Sequence, residues 1–184
     1  MASRIRPLPP VEQTPEQRAL YAAITGGPRA SGPQQFALTA DDGSLRGPFD
    51  AMLRSPAVGA AQQELGAAIR YRTGFTARMR ELAILLVAAH WDSAFERDSH
   101  EAIARAVGFS DAELDALRAR DVTPFADDEG TVGRTVLALL DGDLSDDAWD
   151  AASTALGEAG VFEITALVGY YATLALQLRV FRVE

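Results

Sequence analysis

The sequence predicts an all-α protein of about seven to eight helices, on three observations. Apolar residues recur three and four apart through most of the chain, which puts them on one side of a helix. Thr14, Thr76 and Ser110 each stand where a side chain would cap the first turn of such a run. Segments of alternating β-branched residues, the mark of strands, are missing.

Residues 1–13 contain Pro7, Pro9 and Pro10. Proline fixes φ and removes a donor, so an extended arm is expected here, able to lie on a neighbouring subunit. Residues 14–184 are expected to form a single all-α domain. It opens at Thr14-Pro15-Glu16-Gln17, which combines a Thr cap, Pro at the first helical position and Gln at the capping-box position. That helix should end near Gly26-Gly27. Residues 28–42, rich in Gly, Pro, Ser, Gln and Asp, read as a loop long enough to be a lid or a subunit contact.

A short helix is expected within 44–53, and Ser55-Pro56 opens a longer one. In it, Val58, Ala61, Leu65, Ala68 and Ile69 form an apolar stripe, the usual mark of a core-facing side, and Gly74 ends the run. Thr76 caps a helix over 77–89, and the next covers 93–107 and stops at Gly108. Ser110-Asp111-Ala112-Glu113 is another capping box, opening a helix to about Arg120. After a turn at Thr123-Pro124, helical runs are expected over 127–140, 145–156 and 161–181. The segment from Glu81 to Val87 is echoed by Glu163 to Gly169, through a duplicated helical unit or because two buried helices of one bundle look alike.

Composition removes whole classes of chemistry. With no cysteine, disulfides, thiol nucleophiles, thiolate metal sites and dithiol cycling have no residue to run on. All 17 basic residues are Arg, so a Schiff-base lysine is excluded too. A net charge of −9 is the wrong sign for binding nucleic acid or an anionic membrane. An anionic substrate would need local arginines, and Arg70, Arg72, Arg78 and Arg80 are candidates. The N-terminal segment lacks the apolar stretch of a secretion signal, and no uninterrupted apolar run approaches a bilayer's thickness. A cytoplasmic protein without membrane contact is the expectation.

Chemistry is expected between Glu81 and His100. An apolar helical run carries Glu81 near its start, and after a break at His90-Trp91-Asp92 a second run bears Ser93, Glu96 and His100 on one helical face. Packed as a hairpin, the two runs would bring these groups together in apolar surroundings. A structural reading has Ser93 and Glu96 as a capping box and Glu81 as a first-turn acid, paired with Arg78 or Arg80. A chemical reading has Glu96, four residues before His100, holding the imidazole proton as a general acid or base requires. Glu81 supports it, being costly to bury unless paired. His90, Glu96 and His100 would be an incomplete metal set, so no metal is expected. Tyr171 either puts a phenol at the site or fills the core.

At these residues the chain resembles the carboxymuconolactone decarboxylase and AhpD-like superfamily of all-α proteins. The resemblance covers most of the chain from about Leu45, through Gly47-Pro48-Phe49, Leu53-Arg54-Ser55-Pro56, Arg80-Glu81-Leu82-Ala83-Ile84-Leu85, the Glu96 to His100 segment and residues 163–171. In the peroxidase-reductase branch the pattern is Glu, eleven residues, Cys, two residues, Cys, three residues, His. Glu81 and His100 match it, while Ser93 and Glu96 stand where the cysteines would be.

The resemblance therefore implies a cysteine-free member of the superfamily, with His100, Glu96 and Glu81 as catalytic residues. Ser93, Phe49 and Tyr171 would support the site or bind substrate. The implied activity is decarboxylation of a small carboxylated lactone or carbonyl compound, as in aromatic catabolism, or a related isomerisation or hydrolysis. In the decarboxylation, His100 would quench the enolate with a proton, Glu96 would fix the imidazole tautomer, and Glu81 would steer the proton or a water. No cofactor is implied. The partner is the chain itself, as a homotrimer or homohexamer with the site near a subunit interface. The alternative is a non-catalytic oligomeric binding or scaffold protein of the same fold.

Overall fold

The computed structural model of the protein describes residues 3–27 and 37–183. Among these residues are eight α-helices and no strand, and one isolated antiparallel bridge joins Thr39 and Leu45. The helices are α1 (Pro15–Thr25), α2 (Pro48–Met52), α3 (Pro56–Tyr71), α4 (Ala77–Trp91), α5 (Ala94–Ala106), α6 (Asp111–Arg118), α7 (Asp127–Asp141) and α8 (Asp146–Phe181). The expected loop at 28–42 lies outside the described residues over 28–36. The chain divides into two compact units, one of Met1–Tyr71 with Leu176–Glu184 and one of Arg72–Ala175.

In the first unit, α1 begins on the expected capping box. The Thr14 hydroxyl accepts from the Gln17 N–H, and the Gln17 side chain accepts from the Thr14 N–H at 2.9 Å. α1 and α2 pack on α3, whose buried line shares only Ile69 with the expected stripe. α3 buries Gly59, Gln63, Gly66 and Ile69, while Val58 and Leu65 are 64% and 45% exposed. The reason is close approach. A side chain at Gly59 would collide with the Met52 carbonyl and the Leu20 side chain, so the helix comes in along its small residues. The Pro-rich arm lies on its own unit. The Leu8 N–H donates to buried Asp50 at 3.0 Å, and the Arg4 N–H donates to the Phe181 carbonyl at 2.9 Å.

The second unit is built around α4. Leu82 through Ala88 are all buried, as expected of a helix enclosed on every side, and α5, α6 and α7 pack against it. Thr76 caps it by accepting from the Met79 N–H at 3.1 Å. α6 starts on the second expected capping box, with the Ser110 N–H donating to Glu113 at 2.7 Å. Two of the helical runs expected near the C-terminus are limbs of one element, α8, broken at Gly157 with φ 71°. That left-handed backbone is open to glycine at no steric cost. By length and composition α8 could cross a bilayer, where no such run was expected, but 50% of its apolar stretch is buried within the chain, as in a core helix.

Candidate active site

The local structure between α4 and α5 sets the site. α4 ends with Asp92 in the left-handed conformation, φ 49°, and the Ser93 N–H folds back to donate to the Ala88 carbonyl at 2.9 Å. This Schellman closure satisfies the end of α4 and consumes the N–H that a capping box at Ser93 would offer to Glu96. Ser93 is the N-cap of α5, yet its side chain makes no capping bond. The capping account of Ser93 and Glu96 therefore fails here, although the same motif forms at Thr14 and at Ser110.

Four of the expected residues, with Tyr171 from α8, are buried in this unit. Glu81 is 0% exposed, and its Oε2 lies 2.6 Å from His100 Nδ1. Glu81 sits in the second turn of α4, so the favourable position of an acid in a first turn does not explain it. A carboxylate can only accept, which puts the imidazole proton on Nδ1 and the basic lone pair on Nε2. The ring of Tyr171 meets that of His100 edge-on at 5.3 Å, and Tyr170 stands edge-on to Tyr171 at 5.2 Å.

Glu96 does not hold the imidazole, contrary to the expected role. The carboxylate on Nδ1 is that of Glu81, across the helix pair. Glu96 is itself buried, and neither of its oxygens nor Ser93 Oγ meets a hydrogen-bond partner among the described residues. Burial raises the Glu96 pKa to about 8, opposed in part by the neighbouring Ser93 hydroxyl. The carboxyl is thus largely protonated at neutral pH.

The arginines sort clearly. Arg78 is committed to Glu113 and Glu129 at 2.6 and 2.8 Å. Arg80, only 18% exposed in its side chain, brings Nε to 3.8 Å from Glu81 Oε1, and so sets a cation beside the site. Phe49 is buried in α2 of the first unit. His90 is exposed, and no group of three or more His, Asp or Glu among the described residues is arranged to hold a metal ion. Glu163, the echo of Glu81, accepts from the Gly74 N–H at 3.1 Å, a structural bond unlike that of Glu81.

Residues 56–138 match the Carboxymuconolactone decarboxylase family. No curated protein sequence matches the chain. Among solved structures, the fold is that of the debrominase Bmp8. A cysteine-to-alanine variant in complex with 2,3,4-tribromopyrrole gives a TM-score of 0.73 at 13% identity, over 100% of this chain and 92% of that one. The apo form gives 0.71 at 13% identity, over 97% and 89%. At that identity the likeness establishes the all-α fold and nothing of the chemistry. Residues 56–138 are thus similar to the carboxymuconolactone decarboxylase family, in a chain of the same all-α fold as Bmp8 that has no cysteine.

Proposed function

We propose that the protein is a cofactor-free acid–base enzyme, a lyase that decarboxylates a small carboxylated lactone or carbonyl compound, with His100 as the proton-transfer residue. The observation that carries this reading is the buried 2.6 Å contact between Glu81 and His100 Nδ1. It fixes the tautomer and stabilises the imidazolium formed when Nε2 takes a proton, the arrangement a general acid or base needs. Glu81 is the positioning residue. In decarboxylation the C–CO₂ bond breaks, its electron pair passes to the neighbouring carbonyl as an enolate, and CO₂ leaves. The protonated Nε2 then gives its proton to carbon, and solvent returns one to the ring. Arg80 supplies the positive charge for the substrate carboxylate.

A scaffold role gives no account of Ser93 and Glu96, whose buried polar atoms contribute no capping and no ion pair. Thiol chemistry is closed to a chain without cysteine. The test is CO₂ release from a panel of carboxylated lactones and keto acids. His100→Ala should lower turnover by about 100-fold or more. A folded His100→Ala protein with undiminished turnover would sink the reading.

A further inference from the structure

We propose that Ser93 and Glu96 form a two-donor oxyanion site beside His100, and that the substrate is an enolisable carbonyl compound whose carbonyl oxygen they hold. The inference rests on the proton-transfer reading of His100 and adds a place for the negative charge that the reaction creates.

Three observations carry it. Ser93 Oγ and both carboxyl oxygens of Glu96 are buried and meet no hydrogen-bond partner among the described residues. Buried polar atoms left in that state are costly, and they are expected where a ligand or water completes them. The chain has an ordinary way to satisfy such a pair, the capping box, and forms it twice elsewhere. At Ser93 the backbone N–H is spent on the Ala88 carbonyl instead, so both side chains are released from the helix end. Finally, Ser93, Glu96 and His100 follow one another at three and four residues along α5, neighbours on one helical face at about 5–6 Å between Cβ atoms. A ligand of a few atoms spans that distance.

The chemistry follows from the environment. A buried carboxyl with neither a cation nor an N–H on it takes the neutral form, which has an O–H to give. Ser93 supplies a second. A neutral acid in an apolar place donates more strongly to an oxyanion than to a neutral carbonyl, so the pair favours the enolate over the bound substrate. No proton need leave Glu96. The enolate is held at one end of the face while His100 delivers the proton to carbon at the other.

Substituted phenolates serve as the probe, since they mimic an enolate in charge and geometry and report their ionised form by absorbance. Wild-type protein should bind phenolate in preference to the neutral phenol. Ser93→Ala and Glu96→Ala should each weaken phenolate binding by about 10-fold, and Glu96→Gln, which keeps an N–H donor, should stay within about 3-fold of wild type. Ser93 makes no capping bond, so Ser93→Ala should melt like wild type and decides the matter even where Glu96→Ala does not fold. Equal affinity for phenol and phenolate, or phenolate binding unchanged in Ser93→Ala, overturns the proposal. Because the assay involves no turnover, that result leaves the His100 reading standing, whereas phenolate binding together with full turnover in His100→Ala removes His100 and leaves the oxyanion site.

Discussion

Glu96 takes a carboxyl into a buried place where, among the described residues, no cation pairs with it. Its ordinary pKa of 4.5 rises to about 8, first through burial, against a smaller lowering by Ser93. The folded chain therefore keeps a proton that the unfolded chain gives up between these values. The stability tied to it is complete below about 4.5, declines as pH rises, and is lost above about 8. The slope is up to about 1.4 kcal/mol per pH unit, and Glu96→Gln removes it. Denaturant unfolding of both proteins from about pH 5 to pH 8 should show wild type losing stability relative to the variant. Parallel curves would count against a buried neutral acid. That Glu81, Ser93, Glu96 and His100 would be buried along one helix pair was legible in the sequence, but the pairing was not. The i, i+4 spacing pointed Glu96 at His100, while the carboxylate that reaches the ring comes from α4, a tertiary contact that spacing along α5 does not encode.

At the scale of elements, one arginine ties the second unit together. Arg78 leaves α4 to bond Glu113 of α6 at 2.6 Å, Glu129 of α7 at 2.8 Å and the Gly108 carbonyl at 2.9 Å, with its guanidinium 4.1 Å from the centre of the Phe109 ring. The Ser110 N–H and then Arg78 pull the Glu113 pKa from 4.5 to about 2, so this contribution is complete above the first value and lost as pH falls toward the second. Arg78→Ala should cost roughly 2–3 kcal/mol after allowance for partial exposure, which lowers the melting temperature by roughly 5–10 °C. Arg78→Lys should recover little, because an ammonium cannot fork between two carboxylates. A variant melting with wild type would contradict this role. Helix starts were readable wherever one signal acted alone, as at Thr14, Thr76 and Ser110. At Ser93 two signals competed for one N–H, and the closure of α4 took it. On α3, counting apolar residues placed Ile69 correctly but put Val58 and Leu65 inside, because glycine packing leaves no mark in hydrophobic periodicity.

For the whole molecule, the all-α architecture follows from the helical spacing of apolar residues, and it is shared with a protein of 13% identity. Pattern carries the fold where identity does not. The break of α8 at Gly157 and the folding of the proline-rich arm onto its own unit depend on contacts distant in sequence, so local propensity left them open. The central claim is that α4 and α5 are held so that Glu81 fixes the Nδ1 proton of His100 and puts the basic lone pair on Nε2. The chain has two histidines, so nitrogen-labelled imidazole NMR can resolve this ring. The account predicts a far-downfield Nδ1–H proton on His100 that shifts or vanishes in Glu81→Gln, with Nε2 unprotonated in the neutral ring. A neutral ring carrying its proton on Nε2, or an Nδ1–H signal indifferent to Glu81→Gln, would contradict it.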